Sequence, residues 1–77
     1  MRLYVYSLGK TIYEGDSDSV TLPAEGGEVS VLPHHVPFVT ALHKGNVISR
    51  SQENEQRLPI EKGFAYIDGS HLVVLAD

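Results

Sequence analysis

Apolar residues along this chain recur at every second position rather than at every third or fourth. Ser19 to Leu22 shows the pattern most clearly, because Val20 and Leu22 are apolar and their neighbours are polar. Successive side chains of a strand point to opposite faces, so this period of two indicates a β-strand. The chain is therefore expected to fold from strands.

Glycine and proline interrupt the chain so often that a helix has little room to form. The longest window without either residue runs from Asn46 to Leu58, and within it residues 49–57 are nine consecutive polar residues. No apolar stripe at i, i+3, i+4 spacing is present there, so residues 49–57 are predicted to be the tip of a hairpin rather than an amphipathic helix. Pro59, just beyond it, is predicted to lie on an edge strand or at a bulge.

Short strands separated by turn signals account for the rest of the sequence. Leu8-Gly9-Lys10, Glu25 to Glu28 and Asp68-Gly69-Ser70 are the clearest turns. About eight to ten strands in 77 residues is the density of a small flattened β-sandwich or barrel. The prediction is one all-β domain that spans residues 1–77.

Several of these strands are apolar on both sides. Leu3 and Val5 alternate with the apolar or aromatic Tyr4 and Tyr6, and residues 72–76 are all apolar. A two-layer sheet protein needs apolar side chains only on its inner faces. Either an outer face is covered by another molecule, or the small domain covers its own sheet with loops, and the residues alone leave both interpretations open.

Composition excludes several classes of protein. The net charge of −4, with only six scattered Lys and Arg residues, argues against nucleic-acid binding. No cysteine is present, so disulfides and thiolate zinc sites cannot stabilise the fold. The longest apolar run, residues 72–76, is far shorter than the ~20 residues of a membrane helix, and no apolar signal segment opens the sequence. A cytoplasmic protein is expected, with any membrane association made through a protein partner.

The candidate chemical groups do not assemble into a site. His34 and His35 are adjacent, so on a strand their rings would point to opposite faces, which argues against a shared metal ion. Glu25 and Glu28 flank Gly26 and Gly27 on a turn without an apolar pocket to separate their pKa values, and no helix follows to form a phosphate cradle. No catalytic residue, metal or cofactor is predicted.

The central segment carries a resemblance to a known family. Residues 19–42 read SVTLPAEGGEVSVLPHHVPFVTAL, and the flanks read Tyr13-Glu14-Gly15, Lys44 to Val47 and a final Val-Leu-Ala-Asp at residues 74–77. This arrangement resembles the epsilon subunit of F-type ATP synthases, in which a Gly-Glu pair, a short strand, a Leu-Pro-Gly-His-Ala-Pro motif and an apolar strand follow one another. His34 replaces the glycine of that motif, so the path of the loop before His35 is expected to differ.

The resemblance implies a non-catalytic rotor subunit in the central stalk, which links the gamma subunit to the c-ring and couples ion translocation to ATP synthesis. Contact with the alpha/beta catalytic head would be indirect. The expected place is the cytoplasmic face of the plasma membrane, with the membrane reached only through the ring. The family usually continues beyond Asp77 into a helical hairpin that carries an inhibitory contact, so the chain is expected to be either a short form or an isolated domain, and that regulation is not carried over to it.

Four residues inherit a role from the resemblance. Glu28, and more weakly Glu25, match the loop acids that face the c-ring, whereas Ser7 and His35 match positions that face gamma. The alternatives are a solvated turn for the two glutamates and a purely structural hydrogen-bonding role for His35. Two other functions remain open: a free-standing β-sandwich module that binds another protein, and a small enzyme that uses His35 and the glutamates.

Overall fold

The computed structural model describes residues 1–77 and consists entirely of strands and turns. In chain order the strands are β1 (Arg2–Ser7), β2 (Lys10–Asp16), β3 (Ser19–Ala24), β4 (Gly27–Val31), β5 (His35–Leu42), β6 (Gly45–Ser51), β7 (Asn54–Ile60), β8 (Gly63–Gly69) and β9 (His71–Ala76). Nine short strands confirm the predicted all-β fold. No segment forms a helix long and apolar enough to cross a bilayer.

The strands form two layers joined at one corner. The first layer has the order β2-β1-β9-β8-β5, and the second has the order β4-β3-β6-β7. Strands β3 and β5 connect the layers through one register pair, Ala24 opposite Leu42. Every pairing is antiparallel except that of β1 with β9, where the first and last strands lie side by side in the same direction.

One hydrophobic core fills the space between the layers. Leu3 and Val5 of β1, Leu72 and Val74 of β9, and Ile67 of β8 are fully buried and face residues of the second layer. The second layer contributes Val20, Leu22, Val31 and Val47, which are fully buried as well. The period of two along each strand therefore places alternate residues in a shared core, as the sequence predicts.

The polar segment of residues 49–57 is the main departure from the predicted elements. The structure confines the hairpin tip to Gln52 and Glu53, and the strands β6 and β7 continue through the polar residues on either side. Arg50 pairs with Glu55 across the two strands, so opposite charges support the ladder where apolar side chains are missing. Pro59 lies in β7 at the end of the strand order, which confirms the predicted edge position.

Candidate docking surface

The outer side of the first layer is an apolar surface, called here the aromatic face. Two rows of side chains cross it from β1 to β5, since neighbouring strands place Tyr6, Leu75, Phe64 and Ala41 in one line and Tyr4, Val73, Tyr66 and Val39 in the next. Phe64 is 59% exposed, Tyr66 49%, Leu75 55% and Val39 64%. Such a contiguous exposed apolar patch is uncommon on a soluble monomer and typically marks an interaction site.

The aromatic face follows from strands that are apolar at almost every position. In β9, Leu72 and Val74 point into the core, so Val73 and Leu75 must point outward. The same alternation in β8 buries Ala65 and Ile67 and turns Phe64 and Tyr66 outward. No loop of the domain covers these side chains. Of the two interpretations that the sequence left open, the domain therefore does not cover its own sheet, and the outer face is available to another molecule.

Charged groups border the aromatic face at the beginning of β1. Arg2 donates a hydrogen bond from Nη2 to Oε2 of Glu14 at 2.9 Å and lies 3.4 Å from Asp16 through Nη1. The Glu14 hydrogen bond is the largest of several interactions that raise the pKa of Arg2 above its ordinary value. The guanidinium also lies 6.0 Å from the Tyr4 ring, and the Tyr4 and Tyr6 rings stack at 6.2 Å. Arg2 thus marks where the apolar surface ends.

A groove extends the aromatic face at the opposite end of the same strands. It has a volume of about 640 Å³. Its walls include the turn after β1, the β3–β4 turn and the last residues of β9. The residues that line it are Tyr6, Ser7, Leu8, Gly9, Glu25, Ala41, Leu42, Lys62, Gly63, Phe64, Leu75, Ala76 and Asp77. Lys62 Nζ lies 3.8 Å from Asp77 Oδ2 at its rim. Phe64 and Leu75 belong both to the groove and to the aromatic face, so the two surfaces are continuous.

The four residues singled out by the sequence lie in three separate places. Ser7 and Glu25 both line the groove, although the resemblance assigns them to different partners. His35 pairs with Gly69 at the far end of β8, whereas Gly63 at the near end pairs with Ala76 beside Ser7. The six-residue step from Gly63 to Gly69 corresponds to roughly 20 Å along a strand. Ser7 and His35 are therefore at opposite ends of the first layer.

His35 contacts two groups within its own strand. Its Nδ1 lies 2.9 Å from the carbonyl oxygen of Val36, and its ring packs at a tilt against Phe38 with 5.0 Å between centroids. His34, beside it, has a φ of 67°, a left-handed conformation that explains why glycine suits this position. The loop therefore keeps its turn at some conformational cost.

Glu28 lies on the outer side of the second layer, opposite Pro23 in the β3–β4 ladder. This surface, called here the polar face, carries the outward side chains Thr21, Glu28, Ser30, Arg50, Glu55 and Arg57. Glu28 and Glu25 are therefore on different surfaces of the domain. Glu25, Glu28 and His35 thus do not form a shared site. No group of three His, Asp or Glu side chains is placed to hold a metal ion.

Ion pairs hold the polar face together. Arg57 donates from Nε to Oε2 of Glu55 at 2.8 Å, and Arg50 donates from Nε to Oε1 of the same carboxylate at 3.2 Å. The hydrogen bond from Arg57 is the main cause of a lowered pKa for Glu55. Arg50 also donates to the Thr21 hydroxyl at 3.0 Å, and Thr21 and Ile48 are only 6% exposed on this face. The arginine stems thus cover the apolar atoms beneath them.

Sequence reasoning missed Phe64, Tyr66 and Leu8 as surface residues. The signal for the first two was present, because residues 64–67 are apolar or aromatic on both sides of a predicted strand. Their place beside Tyr4 and Tyr6 depends on β8 and β1 flanking β9, a strand order that local patterns do not encode.

Comparison with known protein families gives a match over the whole chain. The family model described as ATP synthase, Delta/Epsilon chain, beta-sandwich domain matches residues 1–77. The ATP synthase epsilon chain of Dehalococcoides mccartyi is 31% identical over 77 residues, which is 100% of this chain and 55% of that protein. The epsilon chain of Prochlorococcus marinus is 33% identical over 75 residues, which is 97% of this chain and 56% of that protein. This chain therefore spans about half the length of these curated relatives.

Two solved structures share the fold. One chain of the Euglena gracilis mitochondrial ATP synthase, solved as an OSCP/F1/c-ring assembly, superposes with a TM-score of 0.88 at 19% identity. The match covers 96% of this chain and 48% of the Euglena chain. A chain of the Tetrahymena thermophila mitochondrial ATP synthase, solved as a central stalk/c-ring assembly, gives a TM-score of 0.78 at 10% identity. It covers 97% of this chain and 61% of the other. At these identities the likeness concerns the fold.

Proposed function

The chain belongs to the ATP synthase delta/epsilon chain β-sandwich family, and from this premise we propose that it is a non-catalytic rotor subunit of the central stalk. In this role it links the gamma subunit to the c-ring, so that ion translocation through the membrane drives ATP synthesis. Its contact with the alpha/beta catalytic head is indirect. The complex places it at the cytoplasmic face of the plasma membrane, which it reaches only through the ring.

The uncovered aromatic face is the observation that carries this proposal. A rotor linker must be gripped firmly enough to transmit torque, and burial of apolar surface contributes about 25 cal/mol per Å² without requiring charged partners. Phe64, Tyr66 and Leu75 supply large side chains on rigid strands, which are typical anchors of protein interfaces. The two assemblies that contain chains of the same fold, an OSCP/F1/c-ring complex and a central stalk/c-ring complex, support the same role.

The separation of the ionisable residues favours a mechanical over a catalytic role. A small enzyme built on His35 and the glutamates needs these groups within hydrogen-bond reach of one substrate. Instead, His35 is at one end of the first layer, Glu25 lines the groove at the other end, and Glu28 is on the polar face. A non-catalytic subunit needs no such convergence.

The division of contacts suggested by the resemblance is kept as part of the proposal. Ser7 and His35 lie at opposite ends of the first layer and contact gamma there. Gamma would therefore span the whole aromatic face. Glu28 on the polar face and Glu25 on the adjoining turn contact the polar loops of the ring. A carboxylate in each position pairs with basic or amide groups, and exposed pairs of this kind contribute only about 0–1 kcal/mol each.

Binding to gamma is the direct test. The purified chain is titrated into the gamma subunit of the same ATP synthase and the heat of binding is measured. We expect saturable binding at micromolar concentration or tighter, because the aromatic face and the groove together offer an apolar interface. Absence of binding at tens of micromolar, together with absence of the chain from ATP synthase purified from its native membranes, would refute the proposed function.

A further inference from the structure

Leu8 combines two features that are unfavourable in an isolated domain. It is 88% exposed, more than any other large hydrophobic residue that lies at the surface. Its φ is 50°, in the left-handed region, and Gly9 follows with a φ of 76°. Because Ser7 pairs with Lys10, these two residues form the whole loop of the β1–β2 hairpin.

A two-residue loop with positive φ at both positions has the pattern of a type I′ turn, in which asparagine, aspartate or glycine is normally found first. A leucine there brings its Cβ close to the backbone carbonyl, and its apolar side chain receives no burial in return. Gly9 occupies the second position as expected, so the turn type is specified by the chain and only Leu8 departs from it. Strain at an exposed position points to a role that appears when something binds.

Leu8 lies where it would extend the aromatic face. It lines the groove together with Tyr6, Phe64 and Leu75, three residues that also belong to that face. Along β1 only Ser7, which pairs with Ala76, lies between Leu8 and Tyr6, and the charged groove residues Glu25, Lys62 and Asp77 come from other segments. The hairpin tip therefore continues the apolar surface beyond the edge of the sheet.

The aromatic face alone is too small for a stable interface. Four strands about 4.8 Å apart and two rows of side chains cover roughly 300 Å², whereas a standard interface buries about 800 Å² on each partner. The missing area must come from surface that adjoins the face. Charged residues lie at both ends of the face, Arg2 with Glu14 and Asp16 at one end and the Lys62–Asp77 pair at the other. Only the groove end also offers apolar wall residues and the Leu8 tip, so the face continues there.

We propose that Leu8 is the anchor residue by which this chain holds the gamma subunit. This inference rests on the proposed function and assigns the same partner, because the tip is continuous with the face that gamma covers. The Leu8 side chain inserts into an apolar pocket of gamma beside the aromatic face. The conformational cost of the turn is present in the free chain and is offset when the complex forms.

The test separates the stability of the free chain from its affinity. Asparagine adopts the left-handed conformation readily, so Leu8→Asn is expected to leave the melting temperature of the free chain unchanged or to raise it. The same substitution removes a leucine that is buried in the complex. The loss of the transfer free energy of that side chain is expected to raise the Kd for gamma about 10- to 100-fold. Leu8→Met keeps an apolar tip and is expected to bind within about threefold of the original chain.

Ile12→Thr provides a matched control on the same hairpin. Ile12 is an apolar residue that is 53% exposed, but it does not line the groove. The Kd of the Ile12→Thr variant for gamma is therefore expected to equal that of the original chain. If Leu8→Asn binds gamma as tightly as the original chain, the anchor role is refuted while the proposed function stands. If Leu8→Asn lowers the melting temperature by several degrees, Leu8 packs within the free domain and the inference fails. Absence of gamma binding by the original chain refutes the proposed function itself.

Discussion

The two outer faces of the domain differ although they cover the same core. On the polar face, Ile48 is 6% exposed and pairs with Arg57 in the β6–β7 ladder, and Glu55 forms ion pairs with both Arg50 and Arg57. On the aromatic face, Phe64 is 59% exposed and no side chain of the domain covers it. One layer thus covers much of its own outer surface, while the other leaves apolar side chains exposed.

In this short chain, folding stability and binding depend on different sets of residues. Stability comes from residues of both layers that point inward, so the outer residues of the first layer are free to be apolar without forming a second core. A surface of this kind is a liability in isolation, because exposed apolar strands promote association.

The largest effect is expected in the shared core, where the two layers should be equivalent. Leu22→Ala in the second layer and Leu72→Ala in the first each remove a fully buried side chain. Each is expected to lower the free energy of unfolding by about 2–5 kcal/mol, because transfer and cavity costs add. Urea denaturation measures both. A loss below about 1 kcal/mol in one layer and a full loss in the other would contradict a single core.

A charge on the aromatic face should abolish docking. Phe64→Lys is expected to weaken gamma binding by at least about 3 kcal/mol, or ~100-fold, because an apolar anchor is lost and a charge must be desolvated. Asn46→Lys makes the same charge change at an exposed residue of β6 outside this face and should bind within twofold. Calorimetric titration compares the two. Equal weakening by both variants would indicate general charge repulsion rather than a docking face.

Charge reversal on the polar face should separate the ring from gamma. Glu28→Lys is expected to leave gamma affinity unchanged but to lower ATP-driven proton pumping up to a few-fold, since an exposed ion pair contributes about 0–1 kcal/mol. Pumping is measured in membrane vesicles with the reassembled complex. Glu53→Lys, at the β6–β7 hairpin tip, is the control with the same charge change. Unchanged pumping by Glu28→Lys would refute the ring contact.

The smallest effect concerns the carboxylate that organises the polar face. The pKa of Glu55 is lowered mainly by the hydrogen bond from Arg57, so the folded state binds fewer protons than the unfolded state. Its contribution to stability is present above the ordinary glutamate pKa and is lost as the pH falls through the lowered value. An NMR titration of the Glu55 carboxyl should show the lowered pKa. Arg57→Gln should move it back toward the ordinary value, and no movement would exclude this cause.

The sequence predicted most of the fold because the relevant signals are local. Alternation and turn signals predicted an all-β fold of about eight to ten strands, and Pro59 marked an edge strand. The polar hairpin was predicted too broad, since cross-strand pairing of Arg50 with Glu55 is not visible in a single strand.

The candidate surface could be predicted only in part because it depends on contacts distant in sequence. Apolar residues on both sides of β1 and β9 suggested a covered outer face, but the rows through Phe64 and Tyr66 require the strand order. Ser7 and Glu25 are separated in the chain and meet in the groove only through the topology. Leu8 was expected in a turn, yet nothing in a leucine predicts a positive φ.

The parallel pairing of β1 with β9 affects when the domain can fold during synthesis. A ribosome delivers Arg2 first and Ala76 last, so the first strand must wait for nearly the entire domain before it acquires this neighbour. Such long-range pairing slows folding, and the nascent chain holds apolar strands unpaired in the meantime. Completion of the domain therefore waits for β9, and the interval before β9 is made is when chaperones have the most to protect.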